Sequence, residues 1–267
     1  MINKHIYFSI IIVSLNTKKK LRNTLESIYR QKIFPKKYEI IVIDGMSIDG
    51  TQEEILNAKN KIDKLIIEKD SGIYDAMNKG IKYANGEWII FLNSGDLFCN
   101  NDILKKIYSY NLSDNDVVYG DTIVNNNEFN YRINAKLFNK NSINMPFCHQ
   151  SSFVKSHLLK KYNFDLKYKI CSDFNFFIKI KKKEKIFKKI NLIISTVEAG
   201  GLSDKNRLIA FIESFKIIFR NTPSSINFFK IACFFLFLLI SQLAKFFLPN
   251  IIIYKILRKK YKKNIVN

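Results

Sequence analysis

Two hydrophobic periodicities alternate along the N-terminal part of the chain. Residues 6–13 (IYFSIIIV) form a β-branched run, and from Thr17 to Gln31 the apolar Leu21, Leu25 and Ile28 recur at helical spacing, which predicts a strand followed by a helix. EIIVID (39–44) predicts a second strand. The polar turn GMSIDGT follows, then a segment from Gln52 onward that can be helical, then KLIIE (64–68) as a third strand. In SGIYDAMNKGIKYA, Ile73, Met77 and Ile81 share one helical face, and EWIIFLN (87–93) reads as another buried strand whose end carries SGD. Strands alternating with helices in this way predict an α/β fold with a mainly parallel central sheet flanked by helices.

Beyond residue 98 the pattern weakens. DVVYGD (116–121) and NEFNYRI (127–133) read as shorter strands around an Asn-rich turn, 172–183 has helical potential, and NLIISTVEAGGLS (191–203) reads as a strand running into a Gly-Gly turn that ends the core. From Ser224 the chain turns rich in Phe, Ile and Leu. Its apolar stretch between Lys230 and Lys245, Ile231 to Ala244, is shorter than the ~20 residues a spanning helix needs. Two amphipathic or interfacial segments separated by Pro249 are expected, with the basic end RKKYKK suited to anionic headgroups. A buried core helix or a partner-binding helix is the alternative for this tail.

Composition changes the picture in two respects. Lys and Arg number 44 against 23 Asp and Glu, a formal charge of +21, which favours polyanionic partners without choosing among nucleic acid, anionic lipid and phosphorylated substrates. Solvated lysine faces account for such a charge equally well. Cys99, Cys148, Cys171 and Cys233 are scattered with no CxxC pair, so neither a disulfide framework nor a zinc site is indicated, and a reducing compartment fits. The N-terminal apolar run lacks a small-residue cleavage site and reads as a first strand rather than a signal peptide.

Ligands of open parallel sheets sit beyond the carboxyl ends of the strands. The polar residues predicted there are Ser14 and Asn16, Asp44, Asp70, and Asn93 with Asp96, and folding the sheet would gather them into one cleft. Asp44 can accept hydrogen bonds from a base edge or a ribose hydroxyl, and Asp96 can hold a divalent cation on a diphosphate. Singly, each is also an ordinary turn or N-cap residue. Their joint placement is what points to a site.

Taken in order, SIIIVSLN, EIIVIDGMSIDGT, EKDSGIYDAMNKGIKYANGEWIIFLNSGD and CHQSSFVK closely resemble the family 2 glycosyltransferases, over about residues 6–203. The resemblance implies a GT-A fold, Rossmann-like, and inverting transfer of a sugar from a nucleotide diphosphate, often UDP, with Mg²⁺ or Mn²⁺. It places Ser14 and Asn16 in the nucleotide pocket and Asp44 at the base or ribose. Asp70, Gly72 and Asp75 would lie near the base and ribose, with Asn78 and Lys79 close behind. NSGD would correspond to the family's DXD-type metal motif, with Asn93 and Gly95 where many members have aspartates, Asp96 as the retained carboxylate, and Asn93 and Ser94 on the donor. Asp173, at the start of a predicted helix, would be the catalytic base, and His149, followed by Gln150, would face the donor diphosphate or the acceptor.

These expectations divide the chain into a glycosyltransferase domain over 1–204, with a nucleotide-sugar half to about residue 98 and an acceptor half over 99–204, and a helical, membrane-associating tail over 205–267. The expected setting is bacterial surface polysaccharide assembly (lipopolysaccharide, capsule or exopolysaccharide) on a glycan or lipid-linked acceptor, by a cytoplasmic enzyme peripheral on the inner face of the cytoplasmic membrane. A soluble enzyme acting on a protein or small molecule is the alternative. A nucleotidyltransferase lacks its glycine-rich loop, since SLNTKKK has no glycine, and no facing carboxylate pair suggests a glycosidase. A non-enzymatic nucleic-acid binder would need a recognisable groove-fitting motif, and none is evident, so no nucleic acid partner is expected.

Overall fold

The computed structural model describes residues 6–33, 35–126, 128–139, 142, 144–221, 236, 240 and 250–266. Strand β1 (Phe8–Ser14), helix α1 (Lys18–Tyr29), β2 (Tyr38–Asp44), α2 (Thr51–Asn57), β3 (Lys64–Ile67), α3 (Ile73–Tyr83) and β4 (Trp88–Phe91) follow the predicted alternation. They build the parallel half of the sheet, ordered β3-β2-β1-β4, with Ile10 beside Ile40 and Ser14 beside Asp44. β1 is buried along its whole length because it is covered on both faces. Ile11 and Val13 point into one core with Met77 and Ile81 of α3, while Ile10 and Ile12 point into the other with Leu21, Leu25 and Ile28 of α1. Each such buried side chain contributes about 1.5–3 kcal/mol.

The second half of the chain reverses direction. β5 (Leu97–Phe98) and α4 (Ile103–Ser109) lead into β6 (Val117–Asn125), β7 (Asn130–Ile133) and, after a 3-10 turn at His149–Ser151, β8 (Ser152–Lys155) with α5 (Ser156–Tyr162). β8 lies antiparallel between β4 and β6 and so joins the two halves. α6 (Ser172–Lys182) precedes β9 (Phe187–Glu198), which runs parallel to β6 and antiparallel to β5. β9 starts before the predicted residue 191 because Phe187, Lys188 and Lys189 pair with Val117, Val118 and Tyr119, and this pairing outweighs the lysines' weak strand preference.

Beyond β9 come α7 (Leu202–Lys205), α8 (Arg207–Asn221), α9 (Asn250–Lys260) and β10 (Ile265–Val266). α8 packs into the core through Ile217 and Ile218, and β10 adds to β7 while Tyr261 stacks on Tyr131 at 4.2 Å. Of the predicted apolar stretch Ile231 to Ala244, only Leu236 and Ile240 are described, and the rest, with Cys233, lies outside the described residues. Among the described residues no helix is long and apolar enough to cross a membrane.

Candidate active site

The carboxyl ends of β1 and β2 are stitched together by side chains. Asp44 is fully buried; its Oδ1 accepts the Ser47 amide at 2.8 Å, and its Oδ2 accepts the hydroxyls of Ser47 at 2.6 Å and Ser14 at 2.9 Å. The Asn16 amide donates to Ser47 Oγ at 2.8 Å, and Asn16 Oδ1 accepts the Ile48 amide at 2.9 Å. Ser14, Asn16 and Asp44 therefore shape the loop after β2, and the Asp44 carboxylate offers no free surface. Asp70, after β3, reaches over this loop: a Cβ on Gly45 would lie 2.5 Å from Asp70 Oδ2.

The start of α3 is braced internally. Asp70 Oδ1 accepts the Gly72 amide at 3.0 Å, and Asp75 Oδ2 accepts that of Ser71 at 2.9 Å, which, with Lys79 nearby, holds the Asp75 carboxyl below its ordinary range. Lys79 Nζ donates to Lys69 O at 2.7 Å and pairs with Glu68 at 3.1 Å. Asn78 is clamped at both ends of its amide, donating to Phe164 O and accepting from Phe164 N at 2.9 Å each. Asn78 and Lys79 thus brace the fold, and their polar groups are occupied by protein partners.

The turn after β4 is different. Gly95 adopts φ +108°, which suits glycine, and its amide donates to Thr24 Oγ1 at 2.9 Å. This places Asp96 at only 8% exposure, where burial raises its carboxyl to about 6 despite the nearby His149 and the Gln150 amide that donates to Oδ2 at 3.1 Å. The Cys148 thiol donates to Gln150 Oε1 at 2.7 Å, which turns the amide nitrogen toward Asp96.

His149 faces the second carboxyl. Its Nδ1 lies 3.1 Å from Asp173 Oδ2, and the Tyr74 hydroxyl lies 2.8 Å from Oδ1 and 2.7 Å from Ile170 O. Burial works to raise the Asp173 carboxyl, but His149 and Tyr74 outweigh it, and the group sits below its ordinary value. Its place in the first turn of α6 also favours the ionised form. The 3-10 turn that carries His149 and Gln150 is anchored by Ser151, whose hydroxyl meets Thr122 Oγ1 at 2.7 Å and Ser195 Oγ at 2.6 Å.

Thus two adjacent residues reach two unlike acids, Gln150 to Asp96 and His149 to Asp173. Around them Asn93 Oδ1, Ser94 Oγ and His149 Nε2 are buried without a hydrogen-bond partner, the condition of polar atoms prepared for a ligand. Among the described residues no group of three His, Cys, Asp or Glu side chains could hold a metal ion alone, so a cation here would need oxygens from a ligand as well as Asp96. Tyr74 and Glu213 are the residues the sequence reading missed. Tyr74 sits in a helix read for its apolar face; Glu213 had a visible signal, a lone acid in the apolar helix RLIAFIESFKIIF.

The family model for Glycosyl transferase family 2 matches residues 9–187. A PGL/p-HBAD biosynthesis glycosyltransferase of Mycobacterium bovis is 32% identical over 210 residues, covering 74% of this chain and 79% of the relative. Among solved structures, S. aureus TarS 1-349 in complex with UDP-GlcNAc aligns with TM-score 0.63 at 18% identity, over 80% of this chain and 70% of that one. The mannosyltransferase PcManGT from Pyrobaculum calidifontis, in complex with GDP-Man and Mn²⁺, aligns with TM-score 0.62 at 16% identity, over 83% and 66%. At these identities the two structures establish the shared GT-A fold.

Proposed function

The chain belongs to glycosyl transferase family 2, and from that membership we propose that it moves a hexosyl or N-acetylhexosaminyl group, with inversion, from a UDP-type nucleotide-sugar to a hydroxyl of a glycan or lipid-linked acceptor in surface polysaccharide assembly. The observation that carries this reading is the pair of unlike acids joined by His149 and Gln150, beside three unpartnered buried polar atoms. Asp173, held ionised, takes the proton of the acceptor hydroxyl as its oxygen bonds to the anomeric carbon and the bond to the diphosphate breaks. Tyr74 and His149 Nδ1 orient Asp173, leaving His149 Nε2 to meet the diphosphate or the acceptor. Asp70, Gly72 and Asp75 lie on the base and ribose side over the loop built by Ser14, Asn16 and Asp44, and Asn93 and Ser94 face the donor.

A divalent cation, Mg²⁺ or Mn²⁺, fits the donor set: Asp96 would hold it, the unpartnered Asn93 Oδ1 is a further candidate oxygen, and diphosphate oxygens would supply the remaining ligands. When bound, it neutralises charge on the departing diphosphate. The +21 charge is assigned to a membrane surface rather than nucleic acid. Arg258, Lys259, Lys260, Lys262 and Lys263, with the exposed Ile252 and Ile256, support peripheral contact with anionic lipid on the cytoplasmic face. The test is a thermal-shift and hydrolysis screen of UDP-, GDP- and dTDP-sugars with Mn²⁺. A UDP-sugar is expected to protect the fold, and no protection or hydrolysis with any donor would contradict the reading.

A further inference from the structure

The turn that carries Asp96 has an ion pair standing over it. β5 and β9 are antiparallel with Leu97 opposite Thr196, and the same register continued by two residues sets Gly95 against Glu198. Gly95 has no side chain, and a Cβ built there would lie 3.4 Å from Lys20 Cδ and 3.9 Å from Glu198 Cδ. Lys20, from the first turn of α1, and Glu198, the last residue of β9, pair with each other across this space, each about half exposed. The same turn carries the buried Asp96 and the buried, unpartnered Asn93 Oδ1 and Ser94 Oγ.

Each partner matches one half of a metal-bound diphosphate. Glu198 adds a carboxylate beside Asp96, and hard divalent cations favour carboxylate oxygens; Lys20 adds an ammonium, which suits phosphate oxygens. A half-exposed pair is weakly held, so both side chains can change partners while β9 and α1 keep their places. We propose that Lys20 and Glu198 form a latch that the donor opens: Glu198 turns to join Asp96 as a second carboxylate on the divalent cation, and Lys20 turns to the diphosphate. This rests on the nucleotide-diphosphate reading of the site. It gives the site the second carboxylate that the turn itself lacks.

The test is Mn²⁺ uptake by the full chain, measured from loss of the free Mn²⁺ paramagnetic resonance signal, with and without UDP, for wild type, Glu198→Gln and Lys20→Met. Melting curves check that the exposed substitutions leave the fold intact. Glu198→Gln is expected to weaken Mn²⁺ binding in the presence of UDP by at least about tenfold, the scale of losing a conserved partner at a metal site, while metal-free UDP binding is not weakened. Lys20→Met is expected to show the reverse, weaker metal-free UDP binding and, once UDP is raised to saturation, undiminished Mn²⁺ uptake. Wild-type Mn²⁺ affinity in Glu198→Gln, or unchanged UDP binding in Lys20→Met, would overturn the latch and leave the site reading standing. Wild-type protein that takes up no Mn²⁺ with UDP would sink both.

Discussion

Glu213 ties the helix after the Gly-Gly turn to the residue proposed as the base. From α8 its Oε1 accepts the Lys169 amide at 2.7 Å, and its Oε2 accepts those of Ile170 and Cys171 at 2.9 Å each. These amides lead straight into α6, where Asp173 is the second residue, and Ile170 O also meets the Tyr74 hydroxyl. Glu213→Gln keeps the shape but turns one acceptor into a donor facing an N–H. One bond of the charged class is lost and a buried donor is stranded, for about 2–4 kcal/mol. Glu213→Ala strands all three amides at about 3–9 kcal/mol, a large share of the ~5–15 kcal/mol that holds a domain together. For a chain of this size the glutamine variant should melt about 5–12 °C lower. Urea unfolding followed by Trp88 fluorescence gives the energy, and steady-state kinetics should show kcat falling with donor KM nearly unchanged, because the displaced group is Asp173. A Glu213→Gln protein within about 1 kcal/mol of wild type and with unaltered kcat would refute the reasoning.

Other outcomes follow from the same geometry. Tyr74→Phe removes a donor to the ionised form of Asp173, so the folded pKa rises and the acid-side loss of kcat/KM moves to higher pH. The sign carries over to stability. Because the folded pKa of Asp173 is depressed, its contribution is present above the unfolded value and is lost as pH falls through the folded one, so urea midpoints of Tyr74→Phe and wild type should converge as pH falls below the ordinary carboxylate range. Asp96→Ala should lose the response of turnover to added Mn²⁺ or Mg²⁺; an unchanged metal titration would remove Asp96 from the metal site. Replacing Arg258, Lys259, Lys260, Lys262 and Lys263 with Gln should cut co-sedimentation with anionic vesicles by at least about a hundredfold at low salt, given ~1 kcal/mol per basic residue near such a surface. Equal binding would place membrane contact elsewhere.

The parts of the fold legible in the sequence are those with one dominant signal. β1, β2 and β4 are apolar on both sides because both faces are covered, and α3 shows its inward stripe through Met77 and Ile81. α4 and α5, at seven residues each, are too short for a stripe to stand out, and β5 exists only because β9 pairs with it. The site divides along the same line. Asp96 falls at a strand end and Asp173 at a helix start, positions that hydrophobic patterning locates. The roles of Tyr74 and Gln150 arise from packing of α3 and the 3-10 turn against those positions, which no local pattern carries, while Glu213 shows in the sequence only as a lone acid in an apolar helix and its partners come from the packing of α8. Asn78 shows the converse: it lies within a motif yet holds the Phe164 backbone at both ends of its amide.

The central claim is that Asp173 takes the proton in sugar transfer from a nucleotide-diphosphate donor. Its most direct test is Asp173→Asn, nearly isosteric, measured for donor binding by calorimetry and for nucleotide release with acceptor present. The account predicts donor affinity close to wild type and turnover reduced by at least about 10²–10⁴-fold, the contribution of a positioned general base. Near-wild-type turnover in that variant would contradict it.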